Sequence, residues 1–279
     1  MKKAILSILG TITFSAVLVG CGGAETQNSG SISLSGSTSV SEVMAVLGET
    51  WEKNSDIAIE VQGTGSSAGI KAVNNGTSQI GLSSRLVKDS EVREGMEQVI
   101  LARDGIAVVV NNDNRVSDLK PEQISAIYNG EVTNWQEVGG QNRPIVVVTR
   151  EPASGTRGAF EEIMKLRITD ANGNRVSSVT NIAQVAPSNG AVKTTVAQNI
   201  YAVGYISLGS VDDSLKSLKV GGIAATRENI KAGKYKVARP FVLLYNTRKL
   251  TEASQSYLEW VLSEEGQAVV AEKGYIPVI

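Results

Sequence analysis

A strand–turn–helix unit at residues 145–164 predicts the fold class, and it reads IVVVTREPASGTRGAFEEIM. The continuous apolar run 145–148 is typical of a buried strand. Residues 150–156 then form a polar turn that contains Pro, Ser and Gly, and a helix follows that includes Phe160 and Ile163. Strands that alternate with helices in this way favour an α/β class with mostly parallel sheets.

The same unit recurs along the chain and extends the α/β prediction to most of its length. Residues 31–35 alternate as in a strand, break at Gly36-Ser37-Thr38-Ser39, and continue into apolar residues at helical spacing as far as Trp51. Ser39 and Glu42 have the spacing of a capping box, which marks Ser39 as the start of the first helix. Further strands are predicted at 57–61, 79–83, 104–110, 203–208 and 241–245, and further helices at 70–76, 122–128, 191–197 and 252–273, the last with a break near Gly266.

The N-terminus has the features of an export signal. Two lysines precede an uncharged run, 4–19, that is too short to cross a bilayer comfortably, so residues 1–20 are predicted to be a signal peptide. The run leads into Leu-Val-Gly-Cys, which resembles the lipobox of bacterial lipoproteins and implies lipidation of Cys21. An ordinary secretory signal with an unrelated cysteine is the alternative. Residues 21–30, rich in Gly, Ser, Asn and Gln, are predicted to be a flexible tether.

The composition excludes several kinds of site. The chain has no histidine and one cysteine, which rules out Ser-His and Cys-His catalysis, histidine zinc sites, multi-cysteine metal sites and an intramolecular disulfide. We therefore predict no metal and no cofactor. The 27 basic residues, less the two lysines of the signal, stand against 28 acidic residues and leave a net charge of −3. This small negative charge indicates no nucleic-acid partner.

Three of the predicted strand-to-helix turns, at residues 36–39, 65–67 and 154–156, combine Gly with Ser or Thr. A helix N-terminus presents unpaired N–H groups and partial positive charge, Gly lets an anion approach the backbone, and hydroxyl groups add donors. The competing interpretation is that these residues only cap their helices. Arg150 adds a guanidinium fork that can grip two oxygens of a tetrahedral anion or pair with a neighbouring carboxylate such as Glu151. Together these features predict one convergent anion site.

Four segments resemble the ligand-contacting segments of the phosphate-binding proteins of ABC phosphate importers. They are Gly36-Ser37-Thr38-Ser39, Gly65-Ser66-Ser67-Ala68-Gly69, Gly81-Leu82-Ser83-Ser84 and Arg150-Glu151-Pro152-Ala153-Ser154-Gly155-Thr156. The segments occur in the family order, and Arg-x-x-x-Ser-Gly-Thr is the most specific of them. With further similar stretches, the resemblance covers essentially all of the chain after the signal peptide. It implies a two-lobed type II periplasmic-binding-protein fold, in which each lobe is a mostly parallel sheet flanked by helices.

The resemblance also implies boundaries, location and partners. Residues 31–111 and 241–279 would form lobe 1 and residues 112–240 lobe 2, with hinge crossings near Asn111-Asn112 and Arg239-Pro240. The implied function is extracytoplasmic capture of inorganic phosphate in the cleft and delivery to the membrane permease subunits of an ABC importer. The chain would be a monomer, held on the outer face of the cell membrane by its lipid alone.

By position in the family pattern, eight residues would contact phosphate: Thr38 (hydroxyl), Ser39 (backbone N–H), Ser66 and Ser84 from lobe 1, and Arg150, Ser154, Gly155 and Thr156 from lobe 2. Ser84 departs from that pattern, because many members carry there an Asp that accepts the proton of phosphate and repels sulfate. Asp104 and Glu151 are candidates for the missing carboxylate. Arg85 is a further candidate, either as an anion donor or as the partner of such a carboxylate.

Three alternatives to phosphate capture follow from the same residues. Residues 65–69 match Gly-x-Ser-x-Gly, the nucleophile elbow of α/β-hydrolases, which would make Ser67 a nucleophile. A chain without histidine lacks the usual base, and Lys71 has no supporting signature, so no enzymatic activity is predicted. The second alternative is a binder of another oxyanion such as sulfate or molybdate, since Ser84 does not repel a fully ionised anion. The third is a surface lipoprotein that keeps the fold and binds a protein.

Overall fold

The computed structural model describes residues 30–279. The predicted signal peptide, Cys21 and nearly all of the predicted tether lie outside the described residues. Within residues 30–279, no helix is long and apolar enough to span a bilayer.

The strands are β1 (Ser31–Gly36), β2 (Ala58–Gly63), β3 (Ile80–Ser83), β4 (Met96–Val110), β5 (Asp118–Leu119), β6 (Val146–Arg150), β7 (Arg167–Thr169), β8 (Arg175–Ser177), β9 (Gln184–Ala186), β10 (Ala202–Ser207), β11 (Lys216–Ser217), β12 (Lys219–Val220) and β13 (Ala238–Asn246). The helices are α1 (Thr38–Trp51), α2 (Ser66–Asn75), α3 (Pro121–Asn129), α4 (Gly155–Ile163), α5 (Asn189–Ala197), α6 (Arg227–Lys231), α7 (Glu252–Leu262) and α8 (Glu264–Glu272).

One sheet carries most of the strands, in the order β2-β1-β3-β13-β4-β10-β6-β9, and β11 also pairs with β4. β1 pairs in parallel with β2 and β3, and β6 pairs in parallel with β9 and β10. Between these two parallel groups lie β4 and β13, which are antiparallel to each other and to their neighbours. The sheet and its flanking helices confirm the predicted α/β class.

The buried apolar side chains form two main groups, here called the first core and the second core. The first core contains residues of β1, β3, β13, α1 and α7, such as Leu34 and Tyr257. The second core contains residues of β4, β6, β10, α3 and α4, and in it Phe160 stacks on Tyr205 with ring centroids 4.0 Å apart. Because burial of one large apolar side chain contributes about 1.5–3 kcal/mol, each core stabilises its own half of the molecule.

The strands β4 and β13 pass between the two cores. On β4, Ala102 belongs to the first core and Ile106 to the second. On β13, Phe241 belongs to the first core, whereas Ala238 packs against the second. Because β4 is one continuous strand that changes its pairing partner along its length, the change of core falls inside the strand.

The first helix begins two residues earlier than its capping pattern predicted. Ser37 is the N-cap, since its Oγ accepts a hydrogen bond from the backbone N–H of Val40 at 3.3 Å. The helix therefore starts at Thr38, and the prediction that Ser39 is its N-cap was wrong. Gly36 makes this turn feasible, because its φ is +143° and a Cβ there would lie 2.2 Å from a carbonyl oxygen of β3.

The C-terminal helical region is divided at Ser263, three residues before Gly266 and so near the predicted break. The Oγ of Ser263 caps α8 by accepting a hydrogen bond from the backbone N–H of Gly266 at 3.4 Å. Gly266 is needed for a different reason, since a Cβ on it would lie 2.4 Å from the carbonyl oxygen of Trp260. The glycine thus allows α8 to pack closely against the end of α7.

Candidate anion-binding site

Three turns of the first half of the molecule meet at Ser84, which is fully buried. Ser37 Oγ donates to Ser84 Oγ at 2.8 Å, and the backbone N–H of Ser84 donates to Ser66 Oγ at 3.1 Å. The backbone N–H of Gly65 donates to the carbonyl oxygen of Gly36 at 2.7 Å. These bonds hold the N-termini of α1 and α2 side by side, next to the end of β3.

The N-terminus of α4 meets this group from the second half. Ser154 is the N-cap of α4 and accepts a hydrogen bond from a backbone N–H of the first turn at 3.2 Å. Thr156 Oγ1 lies 3.0 Å from Ser39 Oγ. A Cβ on Gly155 would lie 2.0 Å from Ser66 Oγ, so only glycine fits at this contact between α4 and α2.

Arg150 lies at the end of β6, and its side chain is 1% exposed. Its Nη2 donates to Thr38 Oγ1 at 3.1 Å, so the guanidinium reaches the first residue of α1. Its Nε and Nη2 also donate to the two carboxylate oxygens of Glu151, both at 2.9 Å. Arg150 therefore forms its ion pair with Glu151 and also contacts the predicted anion site, two roles that the sequence had left as alternatives. The ion pair orients the guanidinium group.

Two further residues belong to this group although they were not among the predicted site residues. Asn189 Nδ2 donates to Ser39 Oγ at 3.0 Å and to Glu42 Oε1 at 3.1 Å. Arg239 Nη2 donates to Ser39 Oγ at 3.1 Å. A sequence signal existed for Asn189, because Ser188-Asn189-Gly190 opens α5 with the same Gly and Ser chemistry as the other turns. Arg239 lies inside a strand and has no such local signal.

Asp104 lies beside the group and is paired with Arg239. Its Oδ2 accepts from Arg239 Nη2 at 2.9 Å, and both side chains are 1% exposed. Burial raises the pKa of the Asp104 carboxyl, and the charge of Arg239 opposes that rise. Burial also lowers the pKa of Arg239, and the positive charge of Arg150 acts in the same direction. The two guanidinium groups are thus close neighbours, and they contact the adjacent residues Thr38 and Ser39.

The side chain of Arg85 lies outside the cluster of buried serine and threonine side chains. Its Nη1 and Nη2 donate to the two carboxylate oxygens of Glu91 at 2.7 Å, and Nη2 also donates to Ser67 Oγ at 3.2 Å. The pair holds the pKa of Glu91 below its ordinary value. Arg85 lines a cavity of about 520 Å³, whose wall also includes Ser154 and Arg239. The carboxylate that Arg85 contacts is therefore neither of the two candidates taken from the sequence.

The arrangement is suited to a small tetrahedral anion. The N-termini of α1, α2 and α4 meet at one place, and each supplies backbone N–H groups and hydroxyl donors. Two guanidinium groups add positive charge and directed donors. Burial of polar groups costs free energy unless they are satisfied, so a cluster of this kind indicates a binding site. Its buried members include Ser39, Ser66, Ser84, Arg150, Ser154 and Thr156.

The fold and this geometry define an α/β binding protein with a candidate anion site between two cores. The profile of the PBP superfamily domain matches residues 22–265. A crystal structure of a putative phosphate ABC transporter substrate-binding protein with bound phosphate from Clostridium perfringens is 44% identical, with a TM-score of 0.83, and the match covers 89% of this chain and 100% of that one. The chain belongs to the PBP superfamily and, within it, to the substrate-binding proteins of phosphate ABC transporters.

Other relatives agree with this assignment. An ABC-type phosphate transport receptor from Vibrio cholerae is 40% identical, with a TM-score of 0.74, over 88% of this chain and 99% of that one. The phosphate-binding protein PstS of Bacillus subtilis is 28% identical over 99% of this chain and 95% of its own length. The predicted family and the predicted type II fold are confirmed.

Proposed function

We propose that this protein binds inorganic phosphate between its two lobes and delivers it to the membrane subunits of an ABC importer. The contact of Arg150 with Thr38 carries the proposal, because it joins the Arg-x-x-x-Ser-Gly-Thr turn of one half to the Gly-Ser-Thr-Ser turn of the other. The relative from Clostridium perfringens is described with bound phosphate, and the relative from Bacillus subtilis is named a phosphate-binding protein.

In the proposed complex, neutral donors surround the anion and Arg150 supplies a positive charge. Micromolar affinity requires about 8 kcal/mol. Hydrogen bonds to a charged group contribute about 1.5–3 kcal/mol each, so a handful of them suffices. The proposed donors are Thr38, Ser39, Ser66 and Ser84 from lobe 1 and Arg150, Ser154, Gly155 and Thr156 from lobe 2.

Capture is proposed to occur by closure of the lobes about β4 and β13. Lobe 1 would comprise residues 31–111 and 241–279, and lobe 2 residues 112–240. In the described form the two halves are in contact, for example where Ser210 Oγ donates to Glu42 Oε2 at 2.6 Å. An anion that touches both lobes stabilises the closed form through contacts that an open form lacks. The importer would then recognise the closed shape.

The same proposal places the protein outside the cytoplasm. Residues 1–20 would direct export, Cys21 would carry the lipid, and residues 21–30 would connect that lipid to the folded part. Support comes from the uncharged run 4–19 and from the lipobox-like sequence that ends at Cys21. The protein would act as a monomer on the outer face of the cell membrane.

The proposed role is binding without catalysis. Ser67, the serine of the Gly-x-Ser-x-Gly motif, accepts a hydrogen bond at Oγ from Arg85 Nη2 at 3.2 Å. A guanidinium is a cation at physiological pH and does not take up the hydroxyl proton, so this contact does not make Ser67 a nucleophile. The names of the relatives refer to phosphate binding and transport.

Calorimetry tests the proposal. The purified protein is unfolded and refolded to remove bound anion, then titrated with phosphate, sulfate and molybdate in separate runs. Tight one-to-one binding of phosphate, with weaker binding of the other two anions, is the expected result. Preference for sulfate or molybdate would favour a transporter of another oxyanion, and binding of none of the three would contradict the proposal.

A further inference from the structure

A buried ion pair joins the two strands that pass between the cores. Asp104 on β4 and Arg239 on β13 stand opposite each other in the antiparallel register. The Oδ2 of Asp104 accepts from Nε of Arg239 at 3.2 Å and from Nη2 at 2.9 Å. Both contacts involve the same carboxylate oxygen, so the pair uses only part of the hydrogen-bonding capacity of each partner.

Each partner keeps one buried polar atom free. Among residues 30–279, Asp104 Oδ1 and Arg239 Nη1 are both buried and have no hydrogen-bond partner. A buried donor or acceptor without a partner is unfavourable, and more so when it is charged. The hydroxyl of Ser207 is likewise buried without a partner, and it lies near enough to Asp104 to act against the rise in the pKa of that carboxyl. The free donor of Arg239 and the free acceptor of Asp104 leave hydrogen-bonding capacity that a polar ligand can use.

The pair is connected directly to the proposed phosphate site. Arg239 Nη2 donates to Ser39 Oγ at 3.1 Å, and that oxygen lies 3.0 Å from Thr156 Oγ1. Arg150 contacts the preceding residue, Thr38. Two buried guanidinium groups thus converge on adjacent residues at the N-terminus of α1. Like charges repel each other in such a position, and an anion bound there relieves the repulsion.

The other nearby carboxylates have no free oxygen. Both oxygens of Glu151 accept from Arg150, each at 2.9 Å. Glu42 accepts from Asn189 at Oε1 and from Ser210 at Oε2. Of these three carboxylates, only that of Asp104 has an oxygen that accepts no hydrogen bond from the described residues.

We propose that Asp104 accepts the proton of the bound phosphate through Oδ1 and that Arg239 donates to the same anion through Nη1. Asp104 thereby supplies the discrimination that the hydroxyl of Ser84 does not. Phosphate near neutral pH still carries a proton, which can form a hydrogen bond to Oδ1. Sulfate carries no proton, so one of its negative oxygens would face the negative Oδ1 and be repelled. Burial raises the pKa of Asp104, which makes its oxygen a stronger acceptor. This inference rests on the proposed function.

Substitution of the two candidate carboxylates tests the assignment. Phosphate affinity is measured by calorimetry, and sulfate affinity by competition against phosphate. For Asp104→Asn, the ratio of phosphate to sulfate affinity is expected to fall at least about tenfold, because the amide can donate to sulfate and no longer repels it. For Glu151→Gln, both affinities are expected to fall together while the ratio stays within about threefold, because only the orientation of Arg150 changes. Asp113→Asn, in an exposed turn after β4, is the neutral control.

A second variant covers the case in which Asp104→Asn leaves Arg239 as an unpaired buried cation and prevents folding. The double variant Asp104→Asn with Arg239→Gln removes both charges, and thermal melting monitors its fold. It is also expected to lose the preference for phosphate. An unchanged ratio in a folded Asp104 variant, or a ratio lost in Glu151→Gln instead, would overturn the assignment while phosphate binding by the unaltered protein stands. Failure of the unaltered protein to bind phosphate would instead refute the proposed function.

Discussion

Arg150 donates a hydrogen bond of 3.1 Å from Nη2 to Oγ1 of Thr38, a residue that lies 112 positions earlier in the chain. The bond connects the end of β6 with the first residue of α1, and so connects the two halves of the molecule. Both oxygens of Glu151 hold the guanidinium from the other side. The fork is therefore oriented before any anion arrives, which reduces the entropy lost on binding.

Arg150→Lys keeps the positive charge but removes the fork. Since a hydrogen bond to a charged group contributes about 1.5–3 kcal/mol, phosphate affinity is expected to fall about tenfold to a hundredfold in calorimetry. Arg175→Lys is the control, because Arg175 is 60% exposed and its pair with Glu162 is 3.4 Å long. The phosphate affinity of the Arg175→Lys variant should match that of the unaltered protein. A loss below about threefold for Arg150→Lys would contradict its role as a clamp.

Gly155→Ala is expected to abolish phosphate binding without unfolding the protein. The new Cβ would lie 2.0 Å from Ser66 Oγ and 2.7 Å from Ser84 Oγ, so it prevents the approach of α4 to α2 rather than the folding of either core. Calorimetry and thermal melting measure the two effects. Gly190→Ala is a matched control in the first turn of α5, where the nearest atom would be 3.7 Å away. Normal phosphate binding by Gly155→Ala would show that this contact is not needed.

Glu42→Ala is expected to speed phosphate release. Glu42 accepts from Ser210 Oγ at 2.6 Å and from Asn189 Nδ2 at 3.1 Å, and both partners lie in the proposed lobe 2. Because a hydrogen bond contributes about 0.5–1.5 kcal/mol net, the release rate should rise about threefold to tenfold in stopped-flow measurements. Glu49→Ala, at an exposed position of the same helix, is the control. Equal release rates for the two variants would argue against a closing contact.

Stability is expected to fall in alkaline solution as the buried tyrosines ionise. Burial raises the pKa of Tyr205 to about 12 from an ordinary value near 10. The contribution of Tyr205 to the free energy of unfolding is therefore complete below pH 10. It is lost as the pH rises toward 12, at about 1.4 kcal/mol per pH unit. Denaturant unfolding at pH 8, 10 and 11 measures how the free energy of unfolding changes with pH. Tyr205→Phe should decline less steeply between pH 10 and 11, and an identical slope would assign the loss to other groups.

Cys21→Ala is expected to release the protein from the membrane without changing its phosphate affinity. The lipid would be attached through Cys21, whereas the proposed site lies within residues 30–279. Palmitate labelling and detergent partition of cells measure the first effect, and calorimetry the second. A variant that still carries label or stays with the membrane would contradict lipidation at this residue.

The sequence predicted the local part of the candidate site well. The turns at residues 36–39, 65–67 and 154–156 do open helices, and the structure brings them together through contacts such as Ser39 with Thr156. The prediction succeeded because Gly, Ser and Thr at a helix start act through their own backbone. It was wrong about the first residue of α1, since two serines compete for the N-cap and Ser37 takes it.

The sequence by itself determined the alternation of strands and helices, the polar turns between them and the position of Arg150 at the end of a strand, because each depends on residues close together in the chain. Only the tertiary structure decided the pairing of Asp104 with Arg239, which are separated by 135 residues and meet because β13 returns beside β4. It also decided which carboxylate keeps a free oxygen. Such choices depend on burial and on partners brought together from distant parts of the chain, and no local pattern records them.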